Sequence, residues 1–178
     1  MSAHLIVDYY KISQDAKEPI RATDYAACYD VHACFHEQYV KSFDRRNRPV
    51  QLDAHKSWGG SPKNFYGVRI EPGHRCLIPT GLIFDIPQGY SIRIHPRSGI
   101  AWKSGITVAN CEGIVDSDYY HETFIMLHNI SEQQFMVWEG DRIAQLEFHE
   151  DSHMMLQEVS TPPTQKTNRQ GGFGHTGV

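Results

Sequence analysis

The chain has 178 residues, 40% of them hydrophobic, enough to fill one core and too few for two ordinary domains. Its 17 Lys and Arg against 21 Asp and Glu give a formal charge of −4, without a basic block, which excludes the electrostatic footprint of a protein gripping extended nucleic acid. No apolar run approaches the roughly 20 residues of a membrane-spanning helix, the start Met1-Ser2-Ala3-His4 lacks the regions of a signal peptide, and Cys28, Cys34, Cys76 and Cys111 form no close pair, so a soluble cytoplasmic protein with reduced thiols is expected.

Between about residues 36 and 65 the chain carries Lys41, Arg45, Arg46, Arg48, Asp53 and Lys56 and the string Trp58-Gly59-Gly60-Ser61-Pro62, which reads as an inserted polar loop and a possible surface for a further protein partner. Val68-Arg69-Ile70, then Cys76 to Phe84, then Tyr90 to Ile94 read as three strands, and the turn strings between them predict a β-meander. Arg97 to Lys103 holds one short helix. Ile106 to Ala109 and Gly113 to Val115 flank Asn110-Cys111-Glu112, a connection short enough for a hairpin. Strands from Thr123 to His128 and from Arg142 to Phe148 follow. The fold class is therefore all-β, one domain over 1–160, with 161–178 as a C-terminal arm: Thr161-Pro162-Pro163-Thr164 is extended and polar, and the tip Arg169-Gln170-Gly171-Gly172-Phe173-Gly174-His175-Thr176-Gly177 buries nothing by itself.

Three strings carry chemistry. In the arm, successive glycines let N–H groups converge on an anion, Arg169 can fork onto phosphate oxygens, and Phe173 offers a flat face to a base; the alternative is a flexible end with no role. Pro96-Arg97-Ser98-Gly99 stands where a strand ends and the short helix begins, so Ser98 reads either as a helix cap or as a phosphate ligand. Gly113-Ile114-Val115-Asp116-Ser117-Asp118-Tyr119 ends an apolar strand with two acids; Asp116 is either a general base for water or part of a turn.

Read in order, Ala27-Cys28-Tyr29-Asp30-Val31, Pro96-Arg97-Ser98-Gly99, Gly113 to Tyr119, Gly140-Asp141-Arg142-Ile143-Ala144-Gln145 and Gly171 to Gly177 resemble the five ordered motifs of the trimeric dUTP diphosphatases. The resemblance implies a jelly-roll-like, distorted β-barrel subunit, a homotrimer with active sites between subunits, and Mg²⁺-dependent cleavage of dUTP to dUMP and pyrophosphate. It further implies that Asp116 is the general base and that Tyr119 packs on the deoxyribose. Asn110 and the backbone around Gly113 would read uracil. Arg97, Ser98, Gly99 and Gln145 would hold phosphates and metal-bound waters, with Asp30 in the outer shell of the ion. Phe173 would stack on the base, and Arg169, Gly174, His175 and Thr176 would meet the terminal phosphates from a neighbour's arm.

The chain departs from that pattern in places. Only Gln170 separates Arg169 from Gly171 where the family has two residues, so either Arg169 still arrives or Lys166 compensates. Glu112 stands where a small apolar residue is usual, and a carboxylate facing the base would widen specificity toward dCTP. The dCTP deaminases share the Pro-Arg-Ser string, but Gly99 replaces their second serine and Trp102 their catalytic arginine. His149-Glu150-Asp151-Ser152-His153 fits a zinc-protease string without the helix which that chemistry needs.

Overall fold

The computed structural model describes residues 5–37, 39–56 and 66–168. Among them the elements run β1 (Asp8–Lys11), β2 (Tyr29–His32), β3 (Tyr39–Phe43), β4 (Pro49–Asp53), β5 (His55–Lys56), β6 (Tyr66–Ile70), β7 (Arg75–Pro79), β8 (Leu82–Asp85), β9 (Tyr90–Pro96), α1 (Ser98–Ser104), β10 (Ile106–Val108), β11 (Gly113–Val115), β12 (Phe124–Asn129), β13 (Phe135–Trp138) and β14 (Arg142–Glu150). The all-β class and the single short helix are as expected. The strands form four antiparallel sheets, ordered β10-β12-β7-β3-β4, β11-β9-β14-β2, β13-β6-β5 and β1-β8, and among the described residues no ladder closes into a barrel.

Strand alternation builds the core. Ile125 and Leu127 of β12, Ile78 of β7, Val68 and Ile70 of β6, Ile92 of β9 and Leu146 of β14 are all buried, and each such side chain contributes roughly 1.5–3 kcal/mol relative to exposure. Phe148 closes one end, edge-on to Tyr29 at 5.6 Å and to Phe84 at 6.4 Å. Burial pushes the Cys34 thiol up to about 12 and that of Cys76 to about 11, so both are inert packing groups. No helix among the described residues is long and apolar enough to cross a membrane.

Two expectations need correction. The run from Cys76 to Phe84 is not one strand, and no meander forms: β6, β7, β8 and β9 lie in four different sheets. The chain turns at Thr80 and Gly81, the latter at φ +69 where a side chain would be strained. Buried Glu122 accepts the Gly81 N–H at 2.7 Å, and the Thr80 hydroxyl donates to the Thr123 carbonyl at 2.6 Å, so the break is anchored by the residues that lead into β12, the neighbour of β7. Nor is the stretch after residue 36 merely a loop. Tyr39–Phe43 buries Val40 and Ser42 and exposes the residues between them; β3 pairs with β7, and β4 extends the sheet beyond it. The string Trp58 to Pro62 and the arm tip from 169 to 178 lie outside the described residues.

The β3–β4 turn is held by one carboxylate. Asp44 accepts from the Arg46 and Arg48 N–H groups at 2.8 and 2.9 Å and from the Arg48 guanidinium at 2.7 Å, while Asn47 takes the left-handed conformation at φ 59. The Arg48 backbone donor, foremost, holds the Asp44 carboxyl down at about 2 against an ordinary 3.8. A depressed carboxyl stabilises the fold above its unfolded value and loses that contribution as pH falls through the folded one. The urea midpoint of Asp44→Asn is therefore expected to lie below that of the parent above about pH 4 and to approach it as pH falls to about 2 and below; a gap independent of pH would contradict this.

Candidate active site

The strings that carry chemistry separate into two clusters on this chain. The first is basic and lies on the sheet containing β2, β14 and β9. Asp30, only 2% exposed, accepts from Arg97 Nε at its Oδ1 and from Arg142 Nη1 at its Oδ2, each at 3.0 Å, and Arg97 Nη1 also donates to the Arg142 carbonyl at 3.2 Å. Strand register explains the meeting: Gln145 is paired with Asp30 on one side and His95 on the other, so β14 places Gln145 beside the clamp, with Arg142 three residues before it and Arg97 just past the end of β9. A guanidinium carries five N–H donors, so both arginines retain donors for an anion after binding Asp30. Asp30 is thus engaged by two cations, a positioning arrangement that the sequence reading did not foresee, and Arg142 is a member of the cluster that it missed.

Helix α1 begins at Ser98, with Arg97 as the N-cap residue and no side-chain cap bond. The cap reading of Ser98 therefore falls away. Ser98 and Gly99 are exposed, and a Cβ at Gly99 would meet nothing within 4 Å, so an approaching ligand would find open backbone there.

The second cluster is a cavity of about 300 Å³ at the seam of two sheets, lined among others by Asn110, Gly113, Asp116, Tyr119, Phe124 and Met126. The expected hairpin between Ile106 and Val115 is not a hydrogen-bonded hairpin. Strand β10 pairs with β12 and β11 with β9, so residues 109–112 carry the chain from one sheet to the other and the cavity opens beneath that crossing. Cys111 takes φ 64 at the tip. Gly113 makes the crossing tight, since a Cβ there would stand 3.0 Å from Ile94 Cβ and 3.3 Å from Asn110 Nδ2.

Strand β11 ends at Val115, and Asp116 opens a turn closed by the Tyr119 N–H on the Asp116 carbonyl at 3.1 Å. The chain does turn here, though by this main-chain bond rather than by the Asp118 cap that a turn reading would use, and the turn leaves the Asp116 side chain exposed with no bonding partner among the described residues. The Tyr119 hydroxyl donates to the Glu122 carbonyl at 3.0 Å, which fixes the ring at the cavity wall. Glu112 does not line the cavity: its carboxylate lies 3.7 Å from Arg93 and 3.8 Å from His95 on the outer face of the sheet.

None of Arg97, Ser98, Gly99, Gln145 or Asp30 is among the residues that line this cavity. Arg169, Phe173, Gly174, His175 and Thr176 lie outside the described residues. The string from His149 to His153 begins at the end of strand β14 rather than on a helix, and Asp151 accepts from Ser91 and Arg93, which removes the zinc-protease reading. Among the described residues no group of three or more His, Cys, Asp and Glu could cage a metal.

A family model described as dUTPase matches residues 63–177. A deoxyuridine 5'-triphosphate nucleotidohydrolase of Finegoldia magna is 38% identical over 142 residues, covering 78% of this chain and 98% of that protein. One from Rhizobium leguminosarum bv. trifolii is 45% identical over 111 residues, 62% of this chain and 70% of that protein. Among solved structures, a mutant dUTPase of Staphylococcus bacteriophage 80alpha with dUpNHpp superposes at TM-score 0.72 and 19% identity over 97% of this chain and 99% of that one. A mutant dUTPase from phage phi11 of S. aureus, described for its coordination of a structural Mg(II) ion, superposes at TM-score 0.66 and 18% identity over 90% of this chain and 100% of that one.

Proposed function

Because this chain belongs to the dUTPase family, we propose that it hydrolyses dUTP to dUMP and pyrophosphate by attack of an Asp116-activated water on the α-phosphorus, in a homotrimer whose sites lie between subunits. The observation that carries the reading is the cavity itself: a hollow of about 300 Å³ with an amide, a fixed tyrosine ring and an exposed carboxylate on one wall. Phosphoryl transfer asks little covalent work of a protein; it needs a positioned water and donors where negative charge accumulates.

Each part has a residue. Asn110 and the backbone at the crossing read the polar edge of uracil, and the Gly113 approach leaves little space for a 5-methyl group. Tyr119 supports the deoxyribose where a 2′-hydroxyl would clash. Asp116, free of other bonds, accepts the proton of the attacking water. Arg97, with Arg142 beside it, meets phosphate through the donors that Asp30 leaves free, and Ser98, Gly99 and Gln145 add hydrogen bonds. Mg²⁺, when bound, would offset phosphate charge, and Gln145 is the residue here that would meet its waters; Asp30, expected in the outer shell of the ion, is instead almost completely buried and engaged at both oxygens by Arg97 and Arg142. In the arm, Phe173 covers the base, and Arg169, Gly174, His175 and Thr176 bind the outer phosphates, so closure excludes bulk water. In the cell this would keep uracil out of DNA and supply dUMP for thymidylate synthesis.

Glu112 bears on substrate choice. With its carboxylate turned toward Arg93 and His95, Glu112 offers no acceptor to an exocyclic amine in the cavity. Incubation with Mg²⁺ and each of dUTP, dCTP, dTTP and UTP is expected to release pyrophosphate from dUTP, with the other three below about 1% of that rate, since hydrogen-bonded pockets reject poor fits strongly. Ammonia from dCTP would replace hydrolysis with deamination.

A further inference from the structure

We propose that Trp102 is the anchor by which the basic side of one copy docks on the nucleoside side of a second copy, its indole seating against Phe124 and Met126 at the rim of that copy's cavity. The inference deepens the reading above and rests on it, since it assumes sites shared between copies.

Three observations support it. Helix α1 buries none of its residues, and Trp102 is 89% exposed. Its position is not arbitrary: Ser98, Gly99, Trp102 and Lys103 are the exposed residues of α1, and the i, i+3 and i, i+4 spacings put Trp102 on the same face as Ser98 and Gly99. At 1.5 Å per residue, Trp102 stands about 6 Å along the helix from Ser98, so whatever surface receives the phosphate-binding string receives the indole one turn away.

The receiving surface carries matching chemistry. Phe124 and Met126 alternate with buried Ile125 and Leu127, which puts them on the outer face of the five-stranded sheet, 40% and 36% exposed, where both also line the cavity. Leu77, paired with Met126, continues that apolar strip. Sheet faces turned to water usually carry polar residues, and methionine beside an aromatic ring adapts well to an incoming indole. A second copy is the occupant because the cavity lacks the Arg97 cluster on its own chain, and the docking that supplies the cluster must bring α1 to this rim. Tryptophan is also enriched among residues that dominate protein interfaces.

Trp102→Ala is expected to weaken assembly roughly 30-fold or more, seen as dissociation on dilution in sedimentation, with circular dichroism unchanged because the Trp102 side chain is 89% exposed on its own chain. Activity per chain should fall with dilution and recover at high concentration, and Trp102→Phe should restore much of the loss. Assembly and dilution-independent activity equal to the parent's would overturn the anchor alone; a parent that is active as a single chain would overturn the shared site with it. A second experiment fixes the seat without destabilising it. In a Cys111→Ser background, chains carrying Trp102→Cys mixed with chains carrying Met126→Cys should be joined by a short bismaleimide. Mixed assemblies that give no joined pair would place the indole elsewhere and overturn the proposal.

Discussion

Replacing Asp116 with asparagine is expected to lower kcat for dUTP about 1,000-fold, the middle of the range for losing a positioned general base, and to change KM far less. The structure makes the substitution a clean one. Asp116 is exposed and holds no partner among the described residues, so the amide removes a charge and a proton acceptor without leaving a neighbour unpaired. The turn that presents it is closed by main-chain atoms, the Tyr119 N–H on the Asp116 carbonyl, and does not depend on the side chain. Steady-state kinetics with an unchanged thermal midpoint would therefore report chemistry rather than folding. An amide variant as fast as the parent would remove Asp116 from the reaction.

Asp30→Ala is expected to have the largest effect on stability, about 3 kcal/mol, read as a lower urea midpoint with an unchanged slope. The carboxylate is almost completely buried and holds Arg97 and Arg142 at 3.0 Å each, so its loss leaves two guanidiniums without their shared counter-charge. Both arginines reach solvent, which keeps the cost at the lower end for broken buried pairs. The same variant should weaken triphosphate binding, because Arg97 then loses its orientation as well as its partner. An unchanged midpoint would show that the clamp contributes nothing to the fold.

What could be read from the sequence was what depends on local chemistry. The short helix after Pro96 and the strands through Ile125 and Leu146 follow from short-range pattern, and Asp116, Asn110 and Tyr119 do come together around one cavity. Long-range pairing was not legible. Nothing in the run from Ile78 to Phe84 says that Gly81 turns β8 away to pair with β1, because the anchor is Glu122, 41 residues further on. Arg142 was missed for the same reason: its tie to Asp30 spans 112 residues and follows only from the register of β14 on β2. The β3–β4 hairpin did leave a signal, the alternation of Tyr39 to Phe43 followed by Asp44 and Asn47, but the surrounding charges outweighed it.

The division of the site into a cavity on one sheet seam and a basic cluster elsewhere can be tested by complementation. Asp116→Asn and Arg97→Ala chains, each inactive alone, are mixed, dissociated and reassembled. If sites are shared between copies, reassembly restores dUTP hydrolysis at up to about a quarter of the sites, because that fraction joins an intact Asp116 from one variant to an intact Arg97 from the other. If each chain holds a whole site, the mixture stays as inactive as its parts, and the account of a site built between subunits is wrong.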